Sequence, residues 1–192
     1  YRALQHFNGT TKPKLIFSDG APELSNACKD LGYSHDTCTP HKHQSNGVAA
    51  RAVRRCKEGT ACQMIQSGFM AAWWCLAMRH YCFLYNVVER CVNRCLEGWM
   101  TPYEVRFGPF LKHKIIPFGA EVSYLPSNPD DKAKQHSLGI KQRSGLMVGY
   151  ALENGGKWTG DYYIFDWDKF ENATHAGQIF ETRIRSGDVT VS

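Results

Sequence analysis

Thr39-Pro40-His41-Lys42-His43-Gln44-Ser45-Asn46-Gly47-Val48-Ala49-Ala50-Arg51-Ala52-Val53-Arg54-Arg55 reads as a turn running into a helix. Pro40 ends a strand-like run, Ser45-Asn46-Gly47 is a turn and N-cap cluster, and a helical pattern continues to about Ser67-Gly68. From His41 to Lys57 there are five Lys or Arg (Lys42, Arg51, Arg54, Arg55, Lys57), two His and no Asp or Glu. Such a one-sign block at a helix start suits a polyanion.

Upstream, Lys14-Leu15-Ile16-Phe17-Ser18 is an apolar run that fits a buried strand, with Asp19-Gly20 at its C-terminal end. In open α/β sheets that edge is where sites form. Residues 22–31 make an amphipathic helix with Leu24, Ala27, Cys28 and Leu31 inward and Gly32 as its stop, and residues 33–37 supply a second short strand. Residues 1–8 resemble the end of a helix, with Ala3, Leu4 and Phe7 at helical spacing. Within the helix from Gly47, Ala49, Val53 and Cys56 form the expected core stripe, Ala50, Arg54 and Lys57 another face, and Gly59-Thr60 a point where a bend or break is expected.

The stretch at 39–55, with Phe17-Ser18-Asp19-Gly20-Ala21-Pro22-Glu23-Leu24 before it, resembles the catalytic core of the retroviral and retrotransposon integrase family. Asp19 matches that family's middle metal-binding Asp, while Gln44, Asn46, Gly47 and Arg51 match the later motif that opens a helix. The helix's Glu, which completes the carboxylate triad, is replaced by Ala50. The family's first Asp lies on a strand well upstream of Asp19, and only 18 residues precede Asp19 here. The resemblance implies a partial RNase H-like core over residues 1–110 and a parent reaction of metal-dependent DNA strand transfer with Mg²⁺ or Mn²⁺. It implies Asp19 as catalytic residue and metal ligand, Ala50 as a degenerate catalytic position, and Lys42, Gln44, Asn46, Arg51, Arg54 and Lys57 as the contacts to nucleic acid.

The chemistry explains why Ala50 matters. Strand transfer needs a nucleophilic oxygen, a leaving oxygen and neutralisation of phosphate charge, which two divalent ions about 3.5–4 Å apart provide. Hard ions require convergent carboxylates. Glu23 opens the next helix, and Glu58 lies eight residues past Ala50, roughly 12 Å along a helix axis, so neither substitutes. Asp19 alone also fits a strand-end turn residue that hydrogen-bonds its own backbone. The expectation is an inactive copy, with a DNA-binding or structural interaction remnant as the alternative.

Residues 71–88, dense in Trp73, Trp74, Leu76, Met78, Tyr81, Phe83 and Leu84, read as a mostly buried helix. Thr101-Pro102-Tyr103-Glu104 is a helix start with a capping box, and a similar element follows the core in integrases of this class. The composition shifts near Lys112. Strand runs at 117–125, 145–150 and 161–166, and a fourth within 177–184, point to a small β-module over 112–185. Its Phe118-Gly119…Tyr124 and Gly145…Gly149-Tyr150 spacings are similar to the SH3-like barrel that follows the core in copia-type elements. Lys132, Lys134, Lys141 and Arg143 fall between its first two strands and read as a solvated basic loop with DNA contact as the rival reading.

Composition sets the outer bounds. The 192 residues are 43% hydrophobic and 12% aromatic, which is globular rather than disordered, and the formal charge of +5 favours nucleic acid or an anionic surface. The chain opens on Tyr1 without a signal peptide or a bilayer-length apolar run, so it reads as a piece of something longer that does not enter a membrane. The eight Cys are expected to be reduced and without disulfide partners. Cys91-x3-Cys95 with His80 nearby lacks the second ligand cluster of a zinc site, so these thiols read as small hydrophobes. Partners are expected to be DNA and possible further copies of the chain, in an intracellular setting that is nuclear when DNA is acted on.

Overall fold

The computed structural model describes residues 1–38, 47–89, 91–93, 98–110, 114–129, 132 and 138–191. The chain forms two compact units, Tyr1–Lys57 with Leu152–Lys157, and Glu58–Ala151 with Trp158–Ser192. The boundary expected near Lys112 falls at 111–113, outside the described residues. Among the described residues no helix is long and apolar enough to cross a membrane.

The first unit holds α1 (Arg2–Asn8) and a strand-helix-strand element: β1 (Ile16–Ser18), α2 (Pro22–Leu31) and β2 (His35–Thr37). β1 and β2 are parallel, with Ile16 opposite His35 and Ser18 opposite Thr37. Parallel strands need a crossover, and α2 supplies it. Pro22 at its first turn and Gly32 at φ 65° beyond its end set its limits. Ala27 and Cys28 are buried, as the pattern indicated, with Leu24 and Leu31 half-buried. The buried strand expected at 14–18 is not buried: Leu15 is 56% and Phe17 48% exposed. Alternation puts Phe17 on the face opposite Ile16 and Ser18, and a two-stranded sheet has too little area to cover both faces. α1 buries nothing, and Phe7 is 71% exposed.

α3 runs unbroken from Gly47 to Ser67, through Gly59-Thr60. Of the bend or break expected there, the break is absent, and the glycine has a packing reason. A Cβ on Gly59 would run into the ring of Tyr81, so this glycine lets α3 and the next helix approach closely.

The second unit continues with a 3-10 turn at Ala71–Trp73, α4 (Trp74–Val88), a hairpin of β3 (Cys91–Asn93) and β4 (Gly98–Met100), and α5 (Pro102–Phe107). α5 carries the full capping box: Thr101 Oγ1 accepts from the Glu104 N–H at 3.1 Å, and the Thr101 N–H donates to Glu104 Oε2 at 2.8 Å. α4 is amphipathic rather than mostly buried. Leu76, Ala77, His80, Phe83 and Val87 point inward at spacings of three and four, while Trp74 is 56% exposed.

Five strands then form one sheet: β5 (Glu121–Tyr124), β6 (Arg143–Leu152), β7 (Trp158–Asp166), β8 (Thr182–Arg185) and β9 (Val189–Val191), in the order β8-β7-β6-β5-β9. A short helix, α6 (Trp167–Glu171), follows β7. The expected barrel is not formed. A three-residue 3-10 turn, Ser186–Asp188, carries the chain from β8 at one edge to β9 at the other, and among the described residues no ladder joins those edges. The strand expected at 177–184 is only its last part, because Ala176–Gln178 is 3-10 helical.

α4 and the sheet share one core. Trp73, Leu76 and Ala77 meet Phe118, Val148, Phe165 and Ile179, with Met64 and Phe69 against them. A second aromatic layer runs Tyr103, Phe83, Tyr150 and Trp158, with Phe83 and Tyr150 centroids 4.4 Å apart. The Gly145…Gly149-Tyr150 spacing has a packing cause as well: a Cβ on Gly145 would sit 2.6 Å from the Phe165 carbonyl oxygen.

Polar groups inside this core are paired. His80, 1% exposed, has Nε2 3.0 Å from the Ile116 carbonyl and Nδ1 3.3 Å from the Gln63 amide. Burial pushes its pKa down to about 4 against the partial opposition of the Ile116 carbonyl, so the ring is neutral at pH 7 and donates from Nε2. The Tyr150 hydroxyl accepts from the Ile116 N–H at 3.0 Å, and burial raises its pKa. Asp166, 3% exposed, accepts from the Tyr124 hydroxyl at 2.6 Å and from Arg143 Nε at 3.1 Å.

Candidate nucleic-acid interface

At the C-terminal end of β1, Ser18 Oγ donates to the Asp19 carbonyl at 2.7 Å and lies 2.9 Å from His35 Nε2. The Ala21 N–H donates to the same Asp19 carbonyl at 2.7 Å, and the Cys38 N–H to the Ser18 carbonyl at 2.9 Å. The turn is therefore held by main-chain oxygens, and the exposed Asp19 side chain is not what closes it. The Ser18–His35 contact was not legible in sequence. It depends on the parallel register, which sets His35 opposite Ile16, two residues from Ser18 and on the same face.

Lys42, Gln44 and Asn46 lie outside the described residues. Ala50, Arg51, Arg54 and Lys57 all fall in the front half of α3 and are exposed, as is Arg55. At about 100° per residue the four basic side chains share one side of the helix with Ala50, and Val48, Ala49, Ala52, Val53 and Cys56 the other. The core stripe expected from Ala49, Val53 and Cys56 is not core. Val48 is 86% and Val53 55% exposed, Ala49 is exposed, and Cys56 is only half-buried. An apolar spacing marks a face that is able to pack; it does not supply an element to pack against.

Charge is divided as unevenly as burial. Residues 1–57 with 152–157 carry ten Lys and Arg against five Asp and Glu, whereas the second unit carries thirteen against thirteen. The whole formal charge of +5 thus belongs to the first unit.

Among the described residues no three His, Cys, Asp or Glu form a group that could hold an ion, and Ala50 has no ligand atom. Nor does His80 offer a ring nitrogen for zinc, since Nε2 donates to the Ile116 carbonyl and Nδ1 lies 3.3 Å from the Gln63 amide; Cys95 lies outside the described residues.

In the second unit, Arg143 is a structural ion pair rather than part of a solvated loop, bridging the buried Asp166 and the exposed Asp168 at 3.1 Å each. Lys134 lies outside the described residues. Lys132 and Lys141 line a cleft of about 690 Å³ with Arg183, Arg185, Asp161 and Asp188. Arg183 in that cleft is held by Asp161 at 2.6 Å.

No family model and no curated protein matches this sequence. Among solved structures, the chain is similar to a chain in the cryo-EM structure of the simian T-cell lymphotropic virus intasome in complex with PP2A regulatory subunit B56 gamma. The two are 16% identical with a TM-score of 0.43, over 100% of this chain and 61% of that one. This chain thus spans about three fifths of its neighbour's length.

Proposed function

We propose that this chain is part of an integrase-type protein of the retroviral and retrotransposon class, and that its own contribution is to hold DNA through the cationic half of α3. The observation that carries the reading is the charge division. All of the net +5 lies in the unit that contains Arg51, Arg54, Arg55 and Lys57, and these four side chains are exposed on one helix side within seven residues. Closely spaced cations of this kind displace counterions from a phosphate backbone. The motif residues Lys42, Gln44 and Asn46 precede them directly in sequence, and amides and ammonium groups are usual phosphate contacts.

In this reading the chain performs no strand transfer of its own. Two-ion phosphoryl chemistry needs several convergent carboxylates; Asp19 keeps the family's position and Ala50 does not. The parent family's Mg²⁺ or Mn²⁺, its assembly from several copies and its nuclear site of action belong to the same proposal.

The test is a titration of fluorescent duplex DNA with the purified chain at several salt concentrations, beside the Arg54→Ala/Lys57→Ala variant. The expected result is affinity that falls linearly with log salt, with a slope about 1–2 smaller in the variant. Absence of binding, or an unchanged slope, would overturn the DNA reading. Strand joining by the chain alone with Mg²⁺ or Mn²⁺ would overturn the inactive one.

A further inference from the structure

The two halves of α3 differ in what holds them helical. The rear half is fixed by packing: Gly59 lies against Tyr81, Thr60 is buried, Gln63 meets His80, and Met64 lies on the core cluster. The front half, 47–57, is exposed on its cationic side and, apart from half-buried Cys56 and Gly47, on its apolar side too. Isolated helical turns are marginal in water, and tertiary packing is what normally stabilises them. Local terms add little at the start of this half. The first turn carries no acidic residue, and Arg51 has only Arg54 and Arg55 at the three- and four-residue spacings where side chains meet, while Glu58, at the matching spacing from Arg54 and Arg55, lies beyond the segment.

From this we infer that residues 47–57 fray from the packed rear half in the free chain and complete their helix when they bind a DNA phosphate backbone. The inference rests on the DNA-binding reading above and adds a mechanism to it. A phosphate backbone supplies this half with the contacts that packing gives the rear half, so order and binding are coupled. The apparent affinity is then reduced by the fraction of molecules in which the segment is already helical. The occupant is fixed by charge: the exposed cations, and the entire net charge of the molecule, sit in the unit that contains this segment.

Ala52 is the position to probe, because it is exposed and lies on the helix side away from the four basic residues. Ala52→Gly removes helix propensity while leaving every charge in place and opening no cavity. We expect duplex DNA to bind this variant roughly three- to five-fold more weakly at an unchanged salt slope. Hydrogen exchange on the unmodified chain is the second measurement. Amides of 48–57 should exchange fast without DNA and become protected with it, while those of 60–67 stay protected throughout.

Protection of 48–57 that is already high without DNA, or an Ala52→Gly affinity equal to that of the parent chain, overturns the inference. If Arg54→Ala/Lys57→Ala still flattens the salt slope while Ala52→Gly is silent, DNA binding stands and only the coupling falls. If the parent chain does not bind DNA, both fall.

Discussion

The two units divide the work of a protein unequally. The second buries Trp73, Phe118, Phe165 and Ile164 and pairs its buried polar groups, and it is formally neutral. The first has Ala27 and Cys28 as its buried hydrophobics among the described residues, yet carries all of the net charge. α3 crosses from one regime to the other, and its character changes at about Lys57 although its backbone does not. Stability and charge are thus held by different residues, so substitutions in the two units should separate into effects on melting and effects on polyanion binding.

The largest expected separation comes from Trp73→Ala. This ring is 1% exposed and contacts Phe69, Phe165 and Phe170, so its removal should destabilise the second unit by about 4 kcal/mol in a denaturant melt. A loss below about 1 kcal/mol would mean that α4 and the sheet do not share a core.

Acid should act on the same unit through His80. Its folded pKa of about 4 lies below the unfolded 6.5, so the unfolded chain binds more protons between those values. The stability that depends on neutral His80 is complete above pH 6.5 and is lost as pH falls towards 4, by about 3 kcal/mol in all. Melts from pH 7 to 4 should show this slope, and His80→Gln should flatten it. An unchanged slope in His80→Gln would assign the acid sensitivity to other groups.

Arg143→Ala should cost roughly 2 kcal/mol, less than a fully buried pair, because the Tyr124 hydroxyl still serves Asp166. If this variant melts like the parent but weakens DNA binding, Arg143 belongs with the cationic surface after all. The smallest effect is expected at Gly59→Ala, about 1 kcal/mol of net destabilisation, because the clash with Tyr81 outweighs the gain in helix propensity. Combined with Tyr81→Ala the sign should reverse, and failure to reverse would show that the close approach is not the reason for the glycine.

Local chemistry was legible where the sequence spells out its own hydrogen bonds. The capping box at Thr101 and Glu104, the stop at Gly32 and the long run of α3 were each readable from spacing alone. What could not be read was which faces are covered. Ala49, Val53 and Cys56 have the spacing of a core stripe and are largely exposed; Gly59 has the propensity of a break and sits in a continuous helix. Arg143 looks like a loop cation and is an ion-pair partner of a buried Asp. In each case the deciding atom is far away in sequence.

The candidate interface was legible in the same partial way. Its positive charge and the loss of a carboxylate at Ala50 are properties of the residues themselves and needed no coordinates. That the cations are exposed, and that the whole net charge is confined to the unit containing them, needed the fold.

By itself, then, the sequence determined the main helices, the strands at 16–18, 35–37, 121–124, 143–152 and 158–166, the caps at Gly32 and Thr101, the one-sign block of α3 and the missing ligand, since these depend on neighbours within a few residues. Tertiary structure alone decided that the five strands stay open, that α4 packs on them, and that the front half of α3 stands uncovered. Burial depends on contacts between segments tens of residues apart, and an amphipathic pattern fixes which side of a helix can be covered without fixing what covers it.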